Sequence, residues 1–283
     1  MSIRAVPRVT QQGVLTVVEG GARFEDGEIQ MAQGLADETE GRDPILFKGV
    51  FDRNFLRNLR IKIAEYPYRY SDYSDNGHGL PANFHRRDVF PPWTKPTGTP
   101  YKCCMQYFFF FPWNENPPGV DRVATAVARF RNKLVGEAPD TALQPGAEEA
   151  FFGTFTHYPI GGGFCEVHHW YKPGNVPGVP RFNENLVLFT RYGEDYRSGG
   201  LYLWKDNELW KNTEPGRVHA EPLFDPGDVL CLTSTVGHEI LPVDSECDRD
   251  WDPLRGRFLM WVGKNPISGL RGFASTSAQA SRA

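Results

Sequence analysis

Two histidines separated by a long stretch of strand-like sequence constrain this chain more than any other feature. His168 ends the run Tyr158-Pro-Ile-Gly-Gly-Gly-Phe-Cys-Glu-Val-His168, and His238 ends Pro226-Gly-Asp-Val-Leu-Cys-Leu-Thr-Ser-Thr-Val-Gly-His238. Between and after them, segments 185–190, 198–204 and 255–261 are rich in leucine, β-branched and aromatic residues. Gly, Pro, Asp and Asn flank these segments, which is the pattern of short strands. A histidine leaving one strand meets a histidine on a distant strand only where the sheet folds back on itself. The expectation is a mainly β fold of the α/β class, its strands wrapped into a barrel.

Composition narrows the partners. Apolar residues make up 40% of the chain and charged residues 23%, enough for a sizeable core and unlike a disordered sequence. A formal charge of −4 argues against a broad basic face for nucleic acid. No uninterrupted apolar run approaches the ~20 residues of a membrane helix. The start, Met1-Ser-Ile-Arg-Ala-Val-Pro-Arg, lacks the apolar segment of a secretory leader. Cys103, Cys104, Cys165, Cys231 and Cys247 have no CxxC spacing and read as ordinary thiols in a reducing compartment. A cytoplasmic protein with neither nucleic acid nor membrane as partner is expected.

Taken in order, Val14-Leu-Thr-Val-Val18 predicts a strand, and Ile45-Leu-Phe-Lys-Gly-Val-Phe51 a buried one. Asp52 is suited to cap a helix whose apolar positions are Phe55, Leu59 and Ile63. Residues 66–118 are dense in aromatics, Pro, Gly and Asn; within them, 68–101 is expected to form a lid over a binding site, and Phe108 to Phe111 to be core. Asp121 predicts the cap of a second helix carrying Val123, Val127, Phe130 and Leu134 on one face and ending near Gly136. The small polar residues 268–283 predict a frayed tail. One domain is expected over 1–267, with a β core at about 151–263 and helical and loop support from 44–150.

The ordered set Tyr158, His168, Gly199-Gly200-Leu201, Pro226-Gly227-Asp228, His238, Pro242-Val243, Arg255 and Trp261 resembles the iron(II)- and 2-oxoglutarate-dependent oxygenases, in particular their prolyl-hydroxylase-like branch. The likeness spans roughly 151–263. It implies a double-stranded β-helix, or jelly roll, with supporting N-terminal helices. It also implies Fe(II) as metal, 2-oxoglutarate as cosubstrate, dioxygen, and a small-molecule substrate of biosynthetic type. The implied reaction oxidises a C–H bond by hydroxylation, desaturation or cyclisation and releases succinate and CO2. The alternatives are a cupin-like metal dioxygenase that does not use 2-oxoglutarate, and a binding protein on the same fold without catalysis.

The resemblance makes His168 and His238 the metal ligands, since neutral imidazoles suit Fe(II). His169 points to the opposite face of an extended strand. The family's carboxylate two residues after the first histidine is replaced by Trp170, too bulky to leave room for halide as in halogenating relatives. Glu166, His157 and water compete for the third position. The far carboxylate of 2-oxoglutarate calls for a buried guanidinium fork. The family position is Arg255, six before Trp261, with Arg257 of the same parity as fallback and Thr190 or Arg191 as a second contact. His78, His85 and His219 read as structural.

Overall fold

The computed structural model describes residues 7–66, 83–90, 101–111, 114–143, 149–168, 181–204, 217–233 and 236–266. The core is eight strands: β8 (Glu149–Tyr158), β9 (Gly163–His168), β10 (Glu184–Leu188), β11 (Gly200–Trp204), β12 (Arg217–His219), β13 (Val229–Leu232), β14 (His238–Val243) and β15 (Arg257–Pro266). They pair as β13-β10-β15-β8 in one layer and β9-β14-β11-β12 in the other. Apart from the β11–β12 hairpin, chain-sequential strands thus alternate between two antiparallel layers, the winding of a double-stranded β-helix. β7 (Cys103–Phe110) pairs with both β8 and β9 and joins the layers along one side. The expected jelly roll is present.

Period-two alternation sorts the strand residues. On β15, Phe258, Met260 and Val262 pack outward, while Leu259 and Trp261 turn into the barrel. On β10, Val187 faces out, whereas Leu186 and Leu188 face in. The outward face is covered by α2 (Arg53–Glu65) and α3 (Val120–Leu134). On α2 the Asp52 carboxylate accepts from the Phe55 N–H at 2.8 Å, as the cap expectation requires. The buried stripe there is Leu56, Leu59 and Ile63; Phe55 lies at its edge, stacked on Phe24. On α3, Val123, Val127, Phe130 and Leu134 are all buried, each stabilising by roughly 1.5–3 kcal/mol. Its cap differs from expectation. Gly119 precedes the helix, and Asp121 lies in the first turn, where its charge suits the helix N-terminus.

The N-terminal region holds more than the one strand expected there. β1 (Arg8–Gln12) and β2 (Leu15–Glu19) form a hairpin, and β2 adds in parallel to β5 (Ile45–Lys48), which extends the first layer beside β13. A second hairpin, β3 (Ala22–Glu25) and β4 (Glu28–Met31), precedes α1 (Leu35–Thr39). The Pro226-Gly227-Asp228 turn anchors this extension to the barrel. Gly227 has φ 104°, and a Cβ there would stand 2.2 Å from the Phe51 carbonyl oxygen. Asp228, buried, accepts from Gly49 N–H and Asp225 N–H at 2.8 Å each and pairs with Lys48 Nζ at 2.5 Å. The turn starts β13, and His238 begins the next strand.

Of the expected lid, 84–89 is strand β6 (Phe84–Val89), paired with β7. The rest of that stretch, apart from 83, 90 and 101, lies outside the described residues, as do 268–283, His169 and Trp170. Phe108 to Phe111 are buried, as expected of core. Among the described residues no helix is long and apolar enough to cross a membrane, and all five cysteines are free thiols.

Candidate metal centre

His168 ends β9 and His238 begins β14, and the two are register partners on adjacent antiparallel strands. Their ring centroids are 4.2 Å apart at an interplanar angle of 61°. A bulge makes this possible. Ile240 pairs with Cys165, so β9 spends three residues where β14 spends two. The extra residue rotates His168 onto the same inward face as Cys165, and both line one cavity with His238.

Each imidazole is oriented by its own backbone. His168 Nδ1 lies 2.8 Å from the Glu166 carbonyl oxygen and His238 Nδ1 2.9 Å from that of Val236. A carbonyl only accepts, so both Nδ1 atoms carry the proton. In the neutral ring the lone pair is then on Nε2. A hydrogen bond that fixes the far nitrogen is the usual support of a metal-ligating histidine. The Tyr101 ring packs against His168 at 4.2 Å between centroids. Burial, with Cys165 and Cys103 as neighbours, pushes the Tyr101 phenol well above its ordinary pKa and keeps it neutral.

The cavity, of about 110 Å³, is walled by Thr154, Thr156 and Tyr158 of β8, by apolar side chains of β10, β11, β14 and β15, and by two charged residues, Glu184 and Arg86. Glu184, first residue of β10, is 2% exposed. Its Oε2 is 3.9 Å from His238 Nε2, and its Oε1 has no hydrogen-bond partner among the described residues. Burial pushes its carboxyl up to about 8; a hydrogen bond with Trp261 opposes this and the nearby Asp43 adds to it. Arg86 is clamped by Asp88, with Nε 2.8 Å from Oδ1, and its Nη1 is buried without a partner among the described residues. Neither residue belongs to a recognisable motif, and sequence reasoning missed both. An acid directly before the run Asn185-Leu186-Val187-Leu188 was the available signal for Glu184.

The structure distributes the expected site residues unevenly. His168 and His238 come together. Glu166 does not join them: the bulge leaves it half exposed, its carboxylate accepting from Lys102 N–H at 3.1 Å. His157 is fully buried on the helix-facing side of β8, with Nε2 2.7 Å from the Arg255 carbonyl oxygen. Arg255 is also displaced. It precedes β15 in a turn, 60% exposed and paired with Asp250 at 2.6 Å. The fallback, Arg257, is the one buried in the barrel, its guanidinium carbon 5.3 Å from the Tyr158 ring centre. Its Nε pairs with Glu221 at 2.9 Å, while Nη1 and Nη2 are buried without partners among the described residues. Burial opposes its charge, but Glu221, Tyr196 and Tyr158 more than offset that. The Thr190 hydroxyl is spent on the Phe258 backbone, and Arg191 is surface-exposed beside Glu194. His219 stacks on Tyr202 and His85 on Phe108, both as expected of structural histidines.

The donor set suits a divalent first-row metal: two neutral imidazoles with lone pairs on Nε2, beside a half-satisfied carboxyl in an apolar cavity. Among the described residues no three His, Cys, Asp or Glu side chains already converge on a single ion position. The histidine pair is the preformed part.

No protein-family model and no curated protein matches the chain. Among solved structures it is similar to a Pseudomonas putida prolyl-4-hydroxylase, at 14% identity and TM-score 0.49, covering 82% of this chain and 97% of that one. It is similar to a 2OG-Fe(II) oxygenase family protein from Caulobacter crescentus, at 11% identity and TM-score 0.42, covering 82% and 80%. It is also similar to HygX from Streptomyces hygroscopicus, solved with nickel and 2-oxoglutarate bound, at 15% identity and TM-score 0.39, covering 83% and 87%.

Proposed function

We propose that the chain is an oxidoreductase of the iron(II)/2-oxoglutarate type that oxidises a C–H bond of a small molecule. The observation that carries the reading is the register-paired His168 and His238, each with Nδ1 tied to a backbone carbonyl, at the cavity of a double-stranded β-helix. When bound, ferrous iron with 2-oxoglutarate supplies the coupling of dioxygen, oxidative decarboxylation to succinate and CO2, and two-electron oxidation of the substrate at a C–H bond.

The protein's part is binding and positioning. His168 and His238 hold the metal through Nε2. Arg257 offers the fork for the far carboxylate of the cosubstrate: its two Nη groups match a carboxylate bidentately, and Glu221 holds the guanidinium from behind on Nε. Arg86 Nη1 is a further donor without a partner among the described residues, and Arg86 lines the cavity itself. The Leu186, Leu201, Ile240 and Leu259 side chains keep the site apolar and limit bulk water.

The test is cosubstrate turnover by the purified chain under Fe(II) and dioxygen. Succinate release that requires Fe(II) and is abolished in His168→Ala supports the reading. Oxygen consumption unaffected by omission of 2-oxoglutarate, with product formed, decides for a cupin-like dioxygenase instead.

A further inference from the structure

Building on that metal centre, we propose that Glu184 supplies its third protein ligand, from β10 rather than from the strand that carries the first histidine. Trp170 cannot ligate as a carboxylate, and Glu166 is turned outward to Lys102. Glu184 has what those positions lack. It is 2% exposed, it lines the same cavity as both histidines, and its Oε2 stands 3.9 Å from the nitrogen of His238 that carries the lone pair. Ligands about 2.1 Å from one ion lie about 3 Å apart when adjacent. The observed separation is longer than that, and a rotation of the carboxyl toward the histidines closes the difference.

The carboxyl is also held in a way that favours this role. The Trp261 indole bonds it on one side, while Oε1 has no partner to lose on rotating toward a shared ion. Leaving a buried carboxyl oxygen unsatisfied costs free energy that ligation would recover. A divalent ion among two neutral imidazoles and one carboxylate has the charge balance of a two-histidine, one-carboxylate site. Register places the group at the right end of the barrel: Glu184 opens β10 beside Gly263 of β15 and Leu232 of β13.

Anaerobic titration of the full chain with Co(II), followed by its visible d–d bands, tests this without turnover. The wild type should bind one equivalent and His238→Ala should lose that binding. Glu184→Gln, which keeps shape and removes the charge, should weaken binding by at least about 10-fold and change the band envelope. Should Glu184→Gln lose its near-ultraviolet circular dichroism, Glu184→Asp replaces it and is expected to retain the fold, weaken binding and change the bands. Loss of binding in His238→Ala with wild-type affinity and bands in the folded Glu184 variant overturns the assignment and leaves the histidine centre standing. Undiminished binding in both His168→Ala and His238→Ala overturns the centre itself, and the Glu184 assignment with it.

Discussion

Gly263 leaves the space that the Trp261 indole fills: a Cβ at position 263 would stand 2.1 Å from the ring. Two residues apart on β15, they face the same side of the barrel, and the indole spans back to hydrogen-bond Glu184, the register partner of Gly263. Glycine here serves close approach, not an unusual backbone angle. Gly263→Ala should therefore force a rigid ring to move and cost about 1–3 kcal/mol, read as a lower urea midpoint at unchanged slope. A change within ~0.5 kcal/mol would show that the indole has room to shift.

The buried turn at Asp228 is the second structural test. Asp228→Ala strands the Gly49 and Asp225 N–H groups and takes one partner from the Lys48 ammonium, which keeps the Asp225 carboxylate and the Leu223 carbonyl. Leaving buried donors unsatisfied costs about 1–3 kcal/mol. Chemical denaturation should show that loss, while Arg255→Ala, in an exposed pair, stays within about 1 kcal/mol.

His157 sets an acid dependence of stability. Burial is the main cause that holds its imidazole down at about 4 in the folded protein; the hydrogen bond to Arg255 opposes that shift. The unfolded chain takes up the proton near 6.5. Between those values the unfolded state binds more protons, so stability falls as pH drops, by up to about 1.4 kcal/mol per pH unit for this group. His85 shifts in the same direction, also to about 4 with burial as the first cause. Urea midpoints measured from pH 7 to 4 should therefore fall less steeply for His157→Asn than for wild type. Parallel curves would remove His157 as a source of the slope.

Much of the architecture was legible because it rests on repetition. Val123, Val127, Phe130 and Leu134 mark one helix face, and the strand runs that separate His168 from His238 predict a sheet that doubles back. What was not legible depends on single residues. One inserted residue in β9 reverses the strand parity that had put Glu166 beside His168. The 244–256 segment ends in a turn that leaves Arg255 at the surface and brings Arg257 to the start of β15. Glu184 and Arg86 belong to no motif, and only tertiary contact brings them to the cavity. The β3–β4 hairpin could have been read: Asp26-Gly27, both at positive φ, is the favoured two-residue turn between short strands.

The two arginines near β15 separate by kinetics. Arg257→Lys keeps a positive charge and loses the planar fork, so the KM for 2-oxoglutarate should rise about 10-fold or more. Arg255→Ala should leave it within twofold, about 0.4 kcal/mol. The opposite order, measured by succinate release, would return the anchor to Arg255. Equal and small effects would point to Arg86, for which Arg86→Lys is the matching variant.

The most direct measurement of the central claim is anaerobic titration of the chain with Fe(II), with and without 2-oxoglutarate, in wild type, His168→Ala and His238→Ala. The wild type should bind one equivalent of Fe(II), bind it more tightly with 2-oxoglutarate present, and show a visible metal-to-ligand charge-transfer band that needs both components; each histidine variant should lose that band with the fold intact. A band of full intensity in both variants, or no band in the wild type with iron and 2-oxoglutarate together, would contradict that claim.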